Sequence, residues 1–93
     1  MSRRSSPPTL AQYARELGLN LRRAREARGL SQERVAQIAG VSAFTYFKFE
    51  KGESRPGTPL NPQLRTLLAL SQALGVRLVE ILPADEPDVT AGR

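Results

Sequence analysis

The amino-acid sequence predicts an all-α fold, a small bundle of short helices. Apolar residues recur at three- and four-residue steps through most of the chain, a spacing that gives a helix one buried face. Residues that begin helices (Ser, Thr or Asn) and residues that end them (Gly) bound these segments. No segment has a convincing strand pattern, and 93 residues suit one domain with a single modest core.

The first predicted helix runs from Thr9 to about Arg28. Thr9 and Gln12 fit a capping box, in which each side chain bonds the backbone N–H of the other residue. Gly18 weakens the middle of this segment, so a short helix followed by a longer one is the alternative. The preceding residues 1–8 are polar, basic and Pro-rich, and predict a disordered arm. The apolar face consists of Leu10, Tyr13, Ala14, Leu17, Leu21 and Ala24.

Two more short helices are predicted next, with tight turns around them. Gly29 ends the first helix in the left-handed conformation that glycine adopts readily. The predicted boundaries are Ser31 and Gly40 for the second helix, and Ser42 and Gly52 for the third, which spans about 43–51.

The C-terminal part of the chain predicts two further helices. Residues 53–60 form a loop by composition, and Asn61-Pro62 restarts the helix as a cap followed by proline. Leu64, Leu67, Leu68, Ser71 and Leu74 mark its apolar face, and Gly75 ends it. Residues 76–82 predict a last short helix, and 83–93 a disordered acidic tail. The folded domain is therefore expected to span 9–82.

Composition excludes several classes of function. The chain has no Cys and no His, which removes thiol nucleophiles, disulfides, imidazole chemistry and Cys/His metal sites. No metal or other cofactor is therefore expected. No apolar run approaches the length of a membrane span or follows the basic N-terminus as in a signal peptide. A cytoplasmic protein is the expectation.

Charge is distributed unevenly along the chain. Residues 1–82 carry 13 basic and 6 acidic side chains, a net of +7, whereas residues 83–93 carry one basic and three acidic, a net of −2. A domain this basic attracts polyanions, so nucleic acid is a natural partner. The alternative is a soluble surface that happens to be basic.

The segment from Gln32 to Phe49 has the spacing of a helix-turn-helix. Small Ala36 suits the close approach of two steeply crossed helices, and Gly40 suits the positive φ of the turn between them. The apolar residues Val35, Val41, Tyr46 and Phe49 are spaced to fill the space under the turn. An ordinary pair of packed helices is the alternative.

These residues and their neighbours resemble the Cro/CI-type (XRE) helix-turn-helix family of bacterial and phage DNA-binding regulators. The resemblance runs from about Leu17 to Leu82 and implies a five-helix bundle of the lambda-repressor-like type. Its motifs are Leu21-Arg22-x-x-Arg25, Gly29-Leu30-Ser31-Gln32-Glu33, Val35-Ala36, Ala39-Gly40-Val41-Ser42, Glu50-x-Gly52 and Ala73-Leu74-Gly75-Val76.

The chain departs from the family pattern in three places. The segment between Gly52 and Leu67 is longer than in compact members and contains three prolines. Phe44 and Phe47 stand in the third helix where polar residues are usual, and Arg77 stands where a capping Ser is common.

The resemblance places the base-reading residues on the third helix, at Ala43, Phe44, Thr45 and Lys48. Helix geometry agrees, because inward-facing Tyr46 and Phe49 turn residues 44, 45 and 48 outward. Lysine donates to guanine O6/N7 or to a phosphate, and Ala or Phe packs on thymine C5-methyl groups. Thr45 suits either contact. The alternative for Phe44 and Phe47 is an apolar patch that contacts another protein or a second copy of the chain.

Phosphate contacts are expected from Ser31, Gln32, Lys51, Arg55 and Arg65. The resemblance places the start of the second helix, with its free N–H groups, against a backbone phosphate. The alternatives are that Ser31 is only a cap and that Arg65 lies on a solvated helix surface. The basic Arg3 and Arg4 either follow a groove or form an idle tail.

The resemblance also implies a salt bridge between Arg25 and Glu50, which would set the angle of the recognition helix. The alternative is two exposed, unpaired charges. The prediction is a sequence-specific regulator of transcription that binds double-stranded DNA, most simply a repressor acting as a homodimer on an inverted repeat. A protein-interaction module, such as an antitoxin or coactivator-like adaptor, is the second reading, and an enzyme is not expected.

Overall fold

A computed structural model describes residues 6–90 of the chain. Five helices make up most of it, as predicted, together with one small antiparallel sheet. The elements, in chain order, are α1 (Leu10–Ala27), α2 (Gln32–Ala39), α3 (Ala43–Lys51), β1 (Glu53–Arg55), β2 (Thr58–Pro59), α4 (Leu64–Leu74) and α5 (Leu78–Ile81). Within residues 6–90, no helix has the length and apolarity that crossing a membrane requires.

The first helix is continuous, so the alternative of two helices is wrong. Its capping box is confirmed: the Thr9 N–H donates to Gln12 Oε1 at 2.8 Å, and the Gln12 N–H donates to Thr9 Oγ1 at 3.1 Å. Gly18 has a packing role, because α1 crosses the end of α3 here. A Cβ at position 18 would lie 2.7 Å from the carbonyl oxygen of Phe49, closer than real side chains come. Glycine therefore permits the close crossing of α1 and α3.

The helix caps of the helix-turn-helix are confirmed. Ser31 Oγ accepts from the Arg34 N–H, and Ser42 Oγ accepts from the Thr45 N–H, both at 3.0 Å. Gly40 has φ +77°, a left-handed conformation that glycine adopts without a Cβ penalty. Ser31 therefore marks where α2 begins, Gly40 where it ends and Ser42 where α3 begins. The short turn between Gly40 and Ser42 determines how the two helices cross.

The prediction of a plain loop at residues 53–60 is wrong. β1 and β2 form a short antiparallel hairpin, with Gly57 at φ +82° in its turn. The strands are too short to show alternation. Proline is tolerated in β2 because each strand of a two-stranded sheet is an edge strand, with one side that has no neighbouring strand. The hairpin follows α3 directly and closes with a bond from the Leu60 N–H to the Gly52 carbonyl at 2.9 Å.

The predicted start and apolar face of α4 need correction. The helix begins at Leu64 with Gln63 as its N-cap, so Asn61-Pro62 precedes the helix and does not cap it. Leu64 and Leu68 are exposed, whereas Leu70, Ser71, Ala73 and Leu74 are buried. Leu67, Ser71 and Leu74 therefore lie on the inward face as predicted, and Leu64 and Leu68 do not. The last helix is also shorter than predicted.

A single hydrophobic core joins all five helices. Its buried members are Ala14, Leu17, Leu21, Val35, Ala36, Tyr46, Phe49, Leu60, Leu70, Ala73, Leu74 and Ile81. Leu60 brings the segment after the hairpin into this core. Pro8 and Pro83, from the two terminal segments, are also buried. The disorder expected for the remainder of those segments stays a prediction.

Candidate nucleic-acid interface

The outward face of α3 is set by the two aromatic residues that it buries. Tyr46 and Phe49 lie in the core, which turns residues 44, 45 and 48 away from it. Phe44 is 67% exposed, the highest value among the large apolar side chains of residues 6–90. A large apolar ring that is this exposed is available to a partner.

Lys48 lies over this exposed ring. Its Nζ is 4.5 Å from the centroid of the Phe44 ring, within the range of a cation–π interaction. The two residues are one helical turn apart, so they share one face of α3. The face therefore presents an ammonium group and an apolar ring side by side.

The other candidates on α3 are less exposed. Ala43 is half-buried and packs against the core. The Thr45 hydroxyl oxygen accepts from the Ser42 hydroxyl at 2.9 Å, and it sits beside the cap of the helix. Phe47 is half-buried, so the apolar patch suggested by Phe44 and Phe47 consists mainly of Phe44.

The expected phosphate contacts lie on separate elements. Ser31 caps α2 and is exposed. Lys51 is exposed at the end of α3, and Arg55 is exposed on β1, with its Nε 3.4 Å from Thr58 Oγ1. Arg65 lies in the first turn of α4 and lines an open groove beside the α2–α3 turn at Gly40 and Val41. Arg3 and Arg4 fall outside the described residues.

Gln32 is placed differently from its expected role. Its side-chain amide donates to Glu50 Oε1 at 2.9 Å, so the amide points toward the junction of α2 and α3. Gln32 is nevertheless the first residue of α2, where the backbone N–H groups of the first turn lack partners within the helix. A phosphate contact from this residue would use its backbone and not its amide.

Arg25 and Glu50 form a bidentate ion pair between α1 and α3. Arg25 Nε lies 2.6 Å from Glu50 Oε2, and Arg25 Nη2 lies 3.2 Å from Glu50 Oε1. Arg25 Nη1 also donates to the Leu30 carbonyl at 3.0 Å, which ties the α1–α2 turn to the same group. The alternative of two unpaired, exposed charges is wrong.

Glu50 is the centre of this network. Besides Arg25 and Gln32, the Tyr46 hydroxyl donates to Glu50 Oε2 at 2.7 Å. Burial by itself raises the pKa of the Glu50 carboxyl, but hydrogen bonds from Arg25, Tyr46 and Gln32 outweigh it and hold the pKa below its usual value. Burial and the bond to Glu50 raise the pKa of the Tyr46 hydroxyl. The carboxylate is therefore charged and the phenol neutral at physiological pH.

Sequence reasoning missed three of the side chains that hold the helices together. Tyr46 lies in the core as predicted, but its hydrogen bond to Glu50 was not predicted, although the spacing of four residues could have indicated it. Arg28 Nη1 donates to the Leu74 carbonyl at 2.8 Å, and Asn20 Nδ2 donates to the Ile81 carbonyl at 2.9 Å. Both bonds cap the end of a distant helix, and no local sequence signal indicates them.

The sequence and the fold both match known proteins. Residues 16–83 match a family described as a helix-turn-helix domain. An uncharacterized HTH-type transcriptional regulator, y4dJ of Sinorhizobium fredii, is 39% identical over 71 residues, which are 75% of this chain and 84% of that protein. A prophage-derived HTH-type transcriptional regulator of Bacillus subtilis, YonR, is 37% identical over 59 residues, which are 63% of this chain and 49% of that protein.

Two solved structures share the arrangement of helices. The restriction-modification controller protein C.AhdI from Aeromonas hydrophila superposes with a TM-score of 0.65 and 32% identity, covering 74% of this chain and 96% of that chain. The P22 c2 repressor, in complex with a synthetic operator, superposes with a TM-score of 0.62 and 28% identity, with the same coverage of 74% and 96%.

Proposed function

The chain belongs to the helix-turn-helix domain family, as a Cro/CI-type (XRE) DNA-binding regulator of transcription, and we propose that it is a repressor that binds an inverted repeat as a homodimer. The members of this family regulate transcription and are not enzymes. The P22 c2 repressor, solved on an operator, is the similar protein that motivates the repressor assignment. The cytoplasm, where bacterial DNA lies, would be its place of action.

The outward face of α3 is the observation that carries the proposal. Phe44 and Lys48 project from a helix whose opposite face is locked into the core through Tyr46 and Phe49. Glu50, at the end of the same helix, is held by Arg25 from α1. A recognition helix needs this combination, because contacts with base edges give specificity only when the helix is held in one orientation.

Phosphate contacts would position this helix on the duplex. We assign them to exposed Lys51 and Arg55, to Arg65 in the first turn of α4, and to the first turn of α2 at Ser31 and Gln32. Such contacts carry no sequence information, but they fix the register of the protein on DNA. Ala43, Phe44, Thr45 and Lys48 would face the major groove.

Dimerisation follows from the size of the reading surface. One short helix contacts only a few base pairs, which is too few to distinguish an operator from the many competing sites of a genome. Two copies related by a twofold axis would read two half-sites about 34–36 Å apart, and the operator would then be an inverted repeat.

Selection of bound sites from a random duplex library tests the proposal. We expect an inverted repeat, and sedimentation of the complex should give two copies of the chain per duplex. Affinity for the selected site should fall steeply as salt rises, with a log–log slope that corresponds to several phosphates. Binding that barely responds to salt would contradict the proposal.

A pair of variants separates base reading from positioning. Lys48→Ala should relax preference at one base pair, at a cost of about 1–3 kcal/mol for that pair. Arg55→Ala should weaken all duplexes about equally and reduce the salt slope by about one phosphate. Identical specificity profiles for the two variants would mean that α3 does not face the bases.

The high exposure of Phe44 favours one second candidate, a protein-interaction module. In that case a partner protein would cover the ring, and the complex would be insensitive to salt because its contacts are apolar. Phe44→Ala would then abolish the protein complex. The salt titration above distinguishes the two candidates.

A further inference from the structure

We propose that Phe44 and Lys48 act as one reading unit, which recognises a thymine and a guanine on neighbouring base pairs; this inference rests on the proposed function. The Lys48 ammonium lies 4.5 Å from the centre of the Phe44 ring, on one of its faces. Neighbouring base pairs are separated by about 3.4 Å. At this separation the ring and the ammonium can each meet one of two adjacent base pairs.

Each member of the unit has a distinct target in the major groove. The exposed Phe44 ring offers apolar surface for the C5-methyl group of thymine, which is the only apolar group on the edge of that groove. The Lys48 ammonium has donors for O6 and N7 of guanine. Guanine has no methyl group for the ring to contact, and thymine does not have the paired acceptors for the ammonium. Each side chain therefore recognises its own base and not the other.

Phe44 also acts as a positioning residue for Lys48. A lysine side chain has many rotamers in water, and an ammonium free to move can donate to a phosphate as well as to a base. The negative face of the ring attracts the ammonium and favours the rotamers that hold it beside the ring. Loss of the ring should therefore weaken guanine recognition as well as thymine recognition, although Phe44 contacts no guanine.

Base analogues in the selected operator half-site test the unit. Deoxyuridine in place of the thymine removes only the methyl group, and 7-deazaguanine in place of the guanine removes only the N7 acceptor. For the wild-type chain we expect deoxyuridine to weaken binding about fourfold. We expect 7-deazaguanine to weaken binding about fivefold or more.

Four variants resolve the two roles. Lys48→Ala should no longer respond to 7-deazaguanine but should still respond to deoxyuridine. Phe44→Ala should no longer respond to deoxyuridine and should also lose most of the response to 7-deazaguanine. Phe44→Leu keeps an apolar side chain without a ring face, so it should retain the response to deoxyuridine while the response to 7-deazaguanine falls about two- to fivefold. Lys51→Ala, the matched lysine of the same helix, should weaken every duplex alike.

The results also separate this inference from the proposed function. Thermal melting of each variant verifies folding, which the exposed position of Phe44 should leave intact. A half-site without adjacent thymine and guanine, or Phe44 variants that keep the full response to 7-deazaguanine, would overturn the reading unit while leaving a sequence-specific DNA-binding protein. Absence of salt-dependent duplex binding would overturn the proposed function, and the reading unit with it.

Discussion

Arg25 and Glu50 meet across the junction of α1 and α3, with only 14% and 7% of their side chains exposed. The pair is therefore shielded from water, and Tyr46 and Gln32 complete the hydrogen bonds of the carboxylate. An ion pair in such surroundings is costly to break on one side, because the remaining charge stays buried without its partner. The bridge fixes the end of the recognition helix to the rest of the domain.

A double-mutant cycle measures the coupling within this pair. Arg25→Ala and Glu50→Ala should each lower the free energy of unfolding by about 3–5 kcal/mol. The double variant should lose clearly less than the sum of the two, in urea unfolding and in operator affinity. The exposed pair Arg22–Glu26 on α1, with side chains 59% and 54% exposed, is the control, and its coupling should be about 0.3–0.5 kcal/mol. Strict additivity at Arg25 and Glu50 would show that the bridge has no energetic role.

Stability should decrease at acid pH because of Glu50. The pKa of its carboxyl is lower in the folded chain than in the unfolded chain, so unfolding takes up a proton at intermediate pH. This contribution is complete above the unfolded pKa of about 4.3 and is lost as pH falls through the lower folded pKa. Urea unfolding from pH 7 to pH 2 should show a smaller acid-induced loss for Glu50→Gln than for the wild type. If the free energy of unfolding fell in parallel with pH for the wild type and Glu50→Gln, Glu50 would not be a source of the acid-induced loss.

Removal of the Tyr46 hydroxyl should destabilise the domain while leaving its core packing intact. Tyr46→Phe removes one donor to a buried carboxylate and should cost about 1.5–3 kcal/mol in the free energy of unfolding. Loss of that donor should also raise the pKa of Glu50, so the acid-induced loss of stability should begin at higher pH. In the Glu50→Gln background the substitution should cost less. If Tyr46→Phe lowered the free energy of unfolding equally in the wild-type and Glu50→Gln backgrounds, the hydroxyl would not act through Glu50.

Gly18→Ala should destabilise the domain, against the usual trend for helices. Replacing a helical glycine with alanine normally stabilises by about 1 kcal/mol. Here the added methyl would press on the backbone carbonyls of Phe49 and Glu50, so we expect a loss of about 1–3 kcal/mol. Operator affinity should fall too, because α3 must shift. Gly29→Ala is the control, because a Cβ added at this position would have no other atom within 4 Å. Its positive φ alone should lower the free energy of unfolding by about 1–2 kcal/mol, and operator affinity should not change. A stabilising Gly18→Ala would contradict the close crossing of α1 and α3.

The helices of the helix-turn-helix could be predicted from local sequence alone. The caps at Thr9, Ser31 and Ser42 were predicted correctly, as was the turn glycine Gly40. These predictions succeed because a cap bonds a backbone group only three residues away, so all of its partners are neighbours in the sequence. The outward face of α3 follows for the same reason, since Tyr46 and Phe49 are three residues apart.

The features that depend on packing could not be predicted from local sequence. Asn61-Pro62 has the local pattern of a helix start, yet α4 begins at Leu64, leaves Leu64 and Leu68 exposed and buries Leu70. Gly18 weakens α1 when the helix is considered alone, but the crossing of α3 gives it a packing role. Burial of the Arg25–Glu50 pair and the inward turn of Gln32 likewise required the helices to be in place. In each case the partners lie many residues apart, so the free energy of the contact depends on how whole helices pack and not on the local sequence.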